Sequence, residues 1–215
     1  MNALEIKDLH VRINQAHILH GVNFTAPQHQ VTALLGRNGV GKSTTLKAIM
    51  GLYPPTGSVL LNGEELVGKQ THWIAAHGVA YIPEDREIFA SLTVKENLAL
   101  ASRSRQSEEK IPIVYQLFPD LSSRGAQRAG TLSGGQQQML SISRALLNEN
   151  QILLVDEPTK GLAPKLVTEV ADALAQLAKR ETMILVEQNL ALVKRIAQKI
   201  VVMDQGRVVY EGGPE

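Results

Sequence analysis

The sequence predicts an α/β protein with a mostly parallel β-sheet, and three observations lead to this fold class. A glycine-rich segment that fits a phosphate-binding loop lies between a predicted strand and a predicted helix. After residue 150, short apolar runs alternate with helical patterns, which is typical of parallel βαβ units. Between these two parts lies a long stretch of helical pattern, which indicates an inserted helical lobe.

The first part of the chain is predicted to be mainly strand. Strand patterns cover residues 4–13, 18–26 and 30–35, and a helical pattern covers residues 42–50. A further strand over residues 58–62 ends in Asn62-Gly63, a dipeptide that strongly favours a hairpin turn. Trp73 and Ile74 indicate the core of a short helix further on.

The helical lobe and a C-terminal alternation of strands and helices follow. Helical patterns cover residues 93–100, residues 111–118 and a long segment that opens at Ser133, with a polar connector over residues 102–107. Strands are then predicted over residues 152–155, 183–186 and 200–203, and helices over residues 164–179 and 190–197. We therefore predict a single domain over residues 1–215. Its core comprises residues 1–84 and 150–215, and its helical subdomain comprises about residues 85–149.

Bulk composition excludes several classes of protein. The net charge of +1 gives no global field toward nucleic acid or an acidic membrane surface. The chain has no cysteine, which excludes disulfides and thiolate metal sites and fits a reducing compartment. No secretory signal is predicted, and no apolar run approaches the ~20 residues that span a bilayer. We interpret a basic sector of the helical lobe as solvated surface and expect no nucleic-acid partner. This sector consists of Arg103, Arg105, Arg124 and Arg128.

The glycine-rich segment fits the phosphate-loop pattern G-x-x-x-x-G-K-S/T. Its glycines let the backbone turn N–H groups toward phosphate oxygens. We expect Lys42 to reach the β- and γ-phosphates of a nucleotide and Ser43 to bind Mg²⁺, at the positive end of the following helix. The predicted nucleotide-binding residues of this loop are Gly36, Arg37, Asn38, Gly39, Val40, Gly41, Lys42, Ser43 and Thr44.

An apolar strand, Ile152-Leu-Leu-Val-Asp-Glu157, ends in two carboxylates. Asp156 is placed to hold Mg²⁺ directly or through water, as in phosphate-loop NTPases. Glu157 is placed to orient and deprotonate an attacking water molecule. An ordinary strand-end turn is the alternative interpretation. The preceding phosphate loop in the same sheet favours the functional one.

A second glycine motif opens the long helix of the lobe. Ser133 is a good N-cap, and the glycines after it permit close backbone approach. A simple cap is one interpretation. The other is an uncapped helix end that binds an anion with the help of a hydroxyl group. Because the first loop already holds a phosphate, that anion would be the γ-phosphate bound by a second copy of the fold. The motif residues are Leu132, Ser133, Gly134, Gly135 and Gln136.

The three motifs together resemble those of the ATP-binding subunits of ABC transporters, in the same order and over essentially the whole chain. GRNGVGKST is similar to their Walker A motif, LSGGQ to their signature and ILLVDE to their Walker B motif. The resemblance implies a phosphate-loop ABC ATPase core with an N-terminal antiparallel β-subdomain and an inserted helical subdomain. It also implies that two such domains enclose two ATP molecules, that closure drives a membrane subunit, and that hydrolysis reopens the dimer.

Further segments resemble the branched-chain amino acid uptake ATPases of this superfamily. They cover residues 15–21, 35–42, 81–84, 156–164 and 185–189. Importers of urea and short-chain amides share much of this pattern, and the segments GLAP and VEQN favour the amino acid family. A non-transport ABC ATPase is a further alternative. It usually has two ATPase cores or long coiled-coil insertions, and this sequence has neither.

The resemblance also implies partners and a location. The partners are a second ABC ATPase subunit, in a homodimer or heterodimer, transmembrane permease subunits and, indirectly, a periplasmic or extracellular solute-binding protein. Residues 84–100 are where the family binds the cytoplasmic helix of the permease. The implied location is peripheral, at the cytoplasmic face of the inner or plasma membrane. Such subunits often continue beyond the position of Glu215, which implies a further terminal helix.

Three positions depart from the pattern of most ABC ATPases. Gln188 stands where most have a histidine that contacts the γ-phosphate. The amide of Gln188 can donate a hydrogen bond to phosphate, but it does not titrate near pH 7. Glu157 is therefore the predicted base. Glu84 replaces a glutamine that contacts Mg²⁺, and its carboxylate can still supply an oxygen. Ala163 replaces an aspartate, so contact across the dimer must differ there.

The aromatic residue that commonly stacks on adenine would fall at Arg12-Ile13, where neither residue is aromatic. Arg12 can stack its guanidinium on a base, or Ile13 can supply an apolar contact. We therefore predict that ATP and GTP bind with similar affinity. A nucleotide titration checks this, and a preference for ATP above about tenfold would contradict it.

Overall fold

The computed structural model describes residues 1–214 and contains two β-sheets with helices around them. The strands are β1 (Asn2–Ile13), β2 (Ala16–Pro27), β3 (Val31–Leu35), β4 (Thr56–Leu61), β5 (Glu64–Glu65), β6 (Val79–Ile82), β7 (Ile152–Asp156), β8 (Met183–Val186), β9 (Lys199–Asp204) and β10 (Arg207–Gly212). The helices are α1 (Lys42–Ile49), α2 (Thr71–Ala76), α3 (Val94–Ala101), α4 (Arg105–Glu109), α5 (Ile111–Leu117), α6 (Pro119–Ser123), α7 (Gly134–Leu146), α8 (Pro164–Leu177) and α9 (Leu190–Ile196).

The larger sheet has the strand order β10-β9-β3-β8-β7-β6. Its strands from β9 to β6 are parallel to their neighbours, and the edge strand β10 is antiparallel to β9. The smaller sheet, formed by the N-terminal strands, is antiparallel with the order β2-β1-β4-β5. This arrangement confirms the predicted α/β class with a mostly parallel sheet and an N-terminal antiparallel sheet.

Alternate residues of the central strands face two separate apolar cores. Leu153 and Leu185 pack on one side with residues of the helical lobe such as Leu140. Leu154 and Ile184 pack on the opposite side, with α1 and the antiparallel sheet. Because both faces of the larger sheet are covered, its strands consist of continuous apolar residues. The runs ILLV and MILV therefore predicted the buried strands β7 and β8 correctly.

Helices α3 to α7 lie between β6 and β7, where the sequence predicted the helical lobe. A capping box starts α3: the N–H group of Glu96 donates to Oγ1 of Thr93, and the N–H group of Thr93 donates to the Glu96 carboxylate. The connector predicted over residues 102–107 is wrong in part, because Ser104 caps α4. A serine cap stabilises a helix by about 1 kcal/mol, so a short helix can form here without apolar periodicity. The limits 85–149 of the helical subdomain remain a prediction.

Several short elements were not predicted. The strand β6 has four residues, and β10 exposes residues on both faces, so neither gives a clear periodic pattern. The predicted hairpin turn is present, with positive φ at Asn62 and Gly63. None of the helices in residues 1–214 has the length and apolar character needed to cross a bilayer. The implied helix beyond Glu215 lies outside the described residues.

Candidate functional site

Three strands bring the predicted site residues to one edge of the larger sheet. The strands β3, β8 and β7 are adjacent and parallel, so their carboxyl ends meet at the same edge. The phosphate loop follows β3, the acidic pair Asp156 and Glu157 lies at the end of β7, and Gln188 lies two residues after β8. Ser43 and Asp156, which are 113 residues apart in the chain, are in hydrogen-bond contact.

Gly36, Gly39 and Gly41 of the phosphate loop all have positive φ, and at Gly36 and Gly41 a side chain would also clash with its surroundings. Gly36 has a φ of +149°, and a Cβ atom there would lie 2.4 Å from the carbonyl oxygen of Met203. Gly41 has a φ of +104°, and a Cβ atom there would lie 2.6 Å from Cδ2 of Leu19. Gly41 is also the N-cap of α1 and offers no side chain to the first N–H groups of the helix. These N–H groups are therefore available to an anion, and phosphate binding by them remains a prediction.

Lys42 is buried at the start of α1, with 5% of its surface exposed. Its Nζ donates to the carbonyl oxygens of Gly36, at 2.9 Å, and Arg37, at 2.8 Å. Burial lowers the pKa of the ammonium group, and the carboxylates of Glu157 and Asp156 act in the opposite direction. The ammonium group thus lies directly against the loop that is predicted to hold the phosphates.

Asp156 lies at the centre of an oxygen-rich cluster at the end of β7. Oγ of Ser43 donates to Oδ1 at 2.9 Å, and the hydroxyl of Tyr81 donates to Oδ2 at 3.2 Å. Burial raises the pKa of the Asp156 carboxyl; the two hydrogen bonds oppose this, and the carboxylates of Glu157 and Glu84 add to it. Burial and the charge of Asp156 also raise the pKa of Tyr81, so its hydroxyl remains a donor. The contact of Tyr81 could not be predicted, because the four residues of β6 have no clear periodic pattern.

Glu157 has a left-handed backbone conformation, with a φ of +43°. Such a conformation costs about 1–3 kcal/mol for a residue other than glycine, and here the N–H group donates to the carbonyl of Val186. The side chain is 7% exposed, and its Oε1 accepts a hydrogen bond from Nε2 of Gln188 at 2.9 Å. Within residues 1–214, Oε2 accepts no hydrogen bond of normal geometry, although Nζ of Lys160 lies 3.2 Å away. A buried carboxylate oxygen of this kind can accept a proton from water.

Gln188 connects Glu157 to the phosphate loop. Its Nε2 donates to Oδ1 of Asn38 at 2.7 Å and to Oε1 of Glu157 at 2.9 Å. The amide therefore lies between two residues that the sequence predicted for nucleotide binding and hydrolysis. These two hydrogen bonds favour the functional interpretation over an ordinary strand-end turn.

Glu84 and Glu157 share a cation that sequence analysis missed. Nζ of Lys160 lies 2.6 Å from Oε1 of Glu84 and 3.2 Å from Oε2 of Glu157. These contacts, first with Glu84 and then with Glu157, raise the pKa of Lys160. The ammonium groups of Lys42 and Lys160 thus offset the repulsion among the carboxylates near Asp156. Lys160 lies in a loop three residues after Glu157, and this position in the sequence does not predict the contact with Glu84.

The second glycine motif lies at the start of α7. Ser133 is its N-cap, as predicted, and the alternative of an uncapped helix end is wrong. The N–H group of Gln136 donates to Oγ of Ser133, and the Ser133 N–H group donates to the Gln136 side chain. The glutamine three residues after the serine is the reason, because this spacing forms a capping box. The N–H groups of Gly134 and Gly135 remain at the helix end. The Gln136 amide also donates to Asp120 of α6.

Ile13 ends β1, beside the turn into β2. It pairs with Ala16 across that turn and packs, partly buried, against the apolar core that includes Leu46 of α1. Arg12 is exposed. Of the two residues in the position of the stacking aromatic, Ile13 is therefore the one that packs against the core beneath α1.

The oxygen atoms at the end of β7 suit a magnesium ion. Oγ of Ser43 and Oδ1 of Asp156 are 2.9 Å apart. Adjacent ligands of an octahedral ion with bonds of about 2.0–2.1 Å are also separated by roughly 2.9 Å. Both atoms are hard oxygen donors of the kind that magnesium prefers. The donor chemistry therefore fits the predicted metal site.

The chain is similar to known proteins over most of its length. The family described as ABC transporter matches residues 19–160. The high-affinity branched-chain amino acid transport ATP-binding protein BraG of Pseudomonas aeruginosa is 40% identical over 196 residues, which cover 89% of this chain and 84% of the relative. The probable branched-chain amino acid transport ATP-binding protein LivF of Archaeoglobus fulgidus is 37% identical over 95% of this chain and 89% of the relative.

A solved structure has the same fold. The crystal structure of an ATP-binding cassette of an ABC transporter in its ADP conformation matches with a TM-score of 0.88 and 25% identity. The match covers 99% of this chain and 91% of the other. These similarities confirm the family that the three motifs resembled. The chain belongs to the ATP-binding domains of ABC transporters, which hydrolyse ATP.

Proposed function

We propose that this chain is the ATP-hydrolysing subunit of an importer of branched-chain amino acids. The observation that carries this proposal is the meeting of the phosphate loop, Asp156, Glu157 and Gln188 at one sheet edge. The choice of solute is supported by relatives named for branched-chain amino acid transport, at 32–40% identity. An importer of urea or short-chain amides is the alternative, and these similarities favour amino acids.

The phosphate loop and α1 would bind the phosphates of ATP. The N–H groups at the start of α1 supply donors and the positive end of a helix dipole. Nζ of Lys42 would exchange the carbonyl oxygens of Gly36 and Arg37 for oxygens of the β- and γ-phosphates. Hydrogen bonds between an ammonium group and a phosphate are stronger than those to a neutral carbonyl, which favours this exchange.

Ser43 and Asp156 would hold Mg²⁺, with Glu84 as a further oxygen donor once Lys160 releases it. When bound, the ion supplies positive charge that neutralises the β- and γ-phosphates during transfer. Burial raises the pKa of the Asp156 carboxyl. Protonation of Asp156 therefore competes with metal binding more strongly than it would at an exposed aspartate.

Glu157 would act as the general base. Its Oε2 accepts a proton from water while the water oxygen bonds to the γ-phosphorus and the bond to the leaving oxygen of ADP breaks. ADP leaves with the electron pair of that bond, and inorganic phosphate carries the new oxygen. Gln188 holds Oε1 of the base, and Oε2 would take the proton once Lys160, 3.2 Å away, releases it. The amide of Gln188 does not titrate near pH 7 and cannot take this proton itself.

The signature motif would bind the ATP of a partner ATPase domain. The Ser133 hydroxyl and the N–H groups of Gly134 and Gly135 supply the donors at the start of α7. Pseudomonas aeruginosa has two relatives named for this transport, BraG at 40% identity and BraF at 32%. The presence of both relatives in one organism supports a heterodimer of this chain with a second, related ATPase.

Permease subunits would bind at a cleft between the core and the helical lobe. The cleft has a volume of about 440 Å³, and its lining includes Leu52, Leu100, Arg103 and Arg144. Leu52 and Leu100 are exposed, and an exposed apolar patch with a polar rim is typical of a protein–protein contact. A permease bound here would hold the chain at the membrane. We propose that it lies at the cytoplasmic face, with a solute-binding protein acting on the permease from the opposite side.

Gln188→Ala removes the amide that joins Asn38 to Glu157. Because a hydrogen bond to a charged group contributes about 1.5–3 kcal/mol, we expect ATP turnover to fall roughly 10- to 100-fold. Steady-state hydrolysis and coupled uptake by the assembled transporter measure this effect. Gln106→Ala, at an exposed position of α4, is the control. If Gln188→Ala leaves both turnover and uptake unchanged, Gln188 is part of an ordinary turn.

The choice of solute can be tested with the assembled transporter. We expect ATP hydrolysis to be stimulated by a solute-binding protein loaded with leucine, isoleucine or valine, and not by urea or acetamide. Stimulation by urea or acetamide alone would favour the alternative importer. Hydrolysis that responds to none of these solutes would contradict both.

A further inference from the structure

Glu187 is a buried carboxylate that the proposed hydrolysis does not use. It lies between the end of β8 and Gln188, and only 3% of its surface is exposed. An ionised carboxylate in such a place is unfavourable unless hydrogen bonds replace its lost hydration. The groups around Glu187 must therefore supply such hydrogen bonds.

Four donors surround the Glu187 carboxylate. Oε1 accepts from the N–H group of Thr159 at 3.1 Å and from its hydroxyl at 2.5 Å. Oε2 accepts from the N–H groups of Gln188 and Asn189, both at 2.8 Å. All four partners donate, so the site requires an acceptor with lone pairs on two oxygens. An ionised carboxylate has two such oxygens. A glutamine has one, and its NH₂ group would face two of the donors in place of the second oxygen.

The four donors belong to two separate loops. Thr159 lies two residues after Glu157, in the loop that follows β7, and is itself buried. Gln188 and Asn189 lie in the loop that follows β8, where Oδ1 of Asn189 also caps α9. A single side chain thus ties the segment that carries the base to the segment that carries its amide partner. The two functional groups, Oε1 of Glu157 and Nε2 of Gln188, meet at 2.9 Å.

We propose that Glu187 is a positioning residue for ATP hydrolysis, which fixes Glu157 and Gln188 relative to each other. This inference rests on the proposed role of Glu157 as the base. Displacement of a catalytic group by about 1 Å can lower a rate by about 100-fold. Glu187 therefore acts on the rate of hydrolysis. Nucleotide binding depends on the phosphate loop, which Glu187 does not contact through these bonds.

A purely structural role for Glu187 is the alternative, and Glu65 offers a matched comparison. The Glu65 carboxylate also accepts several hydrogen bonds: from the Ser58 hydroxyl at 2.6 Å and from the N–H groups of Val59 and Val67 at 2.9 and 3.0 Å. It lies in the antiparallel sheet, on β5, and not at the edge that carries the site. Glu65 is half-buried, so Glu65→Gln makes the same chemical change at a carboxylate with similar hydrogen-bond donors, outside the site.

The first experiment compares Glu187→Gln with Glu65→Gln in the assembled transporter, with kcat, KM, ATP affinity and Tm as readouts. We expect Glu187→Gln to lower kcat about 10- to 100-fold, with KM and ATP affinity within about threefold of wild type. Glu65→Gln should lower Tm but keep kcat within about twofold. A loss of kcat in Glu187→Gln no greater than in Glu65→Gln would overturn the proposal.

A second pair of variants tests the same contact without changing the buried charge. Thr159→Val removes the hydroxyl donor, and Thr159→Ser keeps it. We expect Thr159→Val to lower kcat roughly tenfold and Thr159→Ser to recover most of that loss, with little further effect of Thr159→Val in a Glu187→Gln background. Equal rates for Thr159→Val, Thr159→Ser and wild type would overturn the proposal, even if Glu187→Gln failed to fold.

Glu157→Gln separates this inference from the proposed function. If Glu157→Gln hydrolyses ATP at the wild-type rate, the role of Glu157 as the base is wrong and Glu187 has no base to position. If Glu157→Gln is inactive while Glu187→Gln and Thr159→Val retain the wild-type kcat, the proposed function stands and only the role of Glu187 is overturned.

Discussion

Glu157→Gln is expected to lower ATP turnover by at least about 100-fold, because general-base catalysis typically contributes about 10²- to 10⁴-fold. Glutamine has a similar size but cannot accept a proton from the attacking water. ATP affinity should remain within about threefold of wild type, since Lys42 and the phosphate loop are unchanged. Steady-state hydrolysis by the assembled transporter and equilibrium nucleotide binding measure the two effects separately.

The same variant should also trap the closed state of the ATPase pair. In the proposed cycle ATP binding closes the dimer and hydrolysis reopens it, so Glu157→Gln should accumulate as an ATP-bound dimer. Glu64→Gln, at an exposed position of β5, is the matched control and should behave as wild type. Equal turnover in wild type and Glu157→Gln would remove Glu157 as the base and favour a module that binds nucleotide without turnover.

Lys42→Ala is expected to weaken ATP binding by roughly 10- to 100-fold. The ammonium group is already desolvated beside the loop, and its pKa is lowered by burial, so a phosphate partner stabilises it more than water could. The loss of charge-assisted hydrogen bonds to the phosphates corresponds to about 1.5–3 kcal/mol. Equilibrium titration with ATP measures the change, and hydrolysis at saturating ATP shows how much catalysis remains.

Lys47→Ala is the control for this prediction, because Lys47 lies on the same helix but near its last turn. Its Nζ lies 5.8 Å from the centre of the Tyr53 ring, away from the loop. We expect ATP affinity within about twofold of wild type for this variant. Equal ATP affinity in Lys42→Ala and Lys47→Ala would show that the loop does not hold the phosphates in the proposed way.

The central strands were predictable because both of their faces are buried. The runs ILLV and MILV contain no polar interruption, and they form β7 and β8 within one residue of the predicted bounds. In contrast, β10 pairs along the edge of the sheet and leaves Val209 and Tyr210 exposed, so its apolar residues mark no buried face. Backbone pairing with β9 stabilises this strand, and such pairing leaves no periodic pattern in the sequence.

The parts of the site that could be predicted are those with a motif or a strand end. The phosphate loop followed from its glycine motif, the acidic pair from the end of an apolar strand, and the position of Gln188 from the resemblance to ABC ATPases. The contacts of Lys160 and Glu187 could not be predicted, because they join two loops through side chains. In the segment MILVEQNL the sequence predicted a role for Gln188. The side chain of Glu187 makes four hydrogen bonds, and that of Gln188 makes two.

The uncapped helix end predicted at the start of α7 is capped in the structure. Ser133 and Gln136 have the spacing of a capping box, and the structure forms that box. The anion-binding interpretation of this motif therefore depends on the N–H groups of Gly134 and Gly135 and on the hydroxyl of Ser133. A partner's ATP would have to bind alongside the cap.

ATP-dependent uptake of labelled leucine into vesicles that contain the permease and the partner ATPase tests the central claim most directly. We expect vesicles with the wild-type chain to accumulate leucine and vesicles with equal amounts of Glu157→Gln to accumulate none above background. Two results would contradict the account. One is leucine uptake at the wild-type rate by vesicles that contain Glu157→Gln in place of the wild-type chain. The other is that wild-type vesicles take up labelled urea but no labelled leucine.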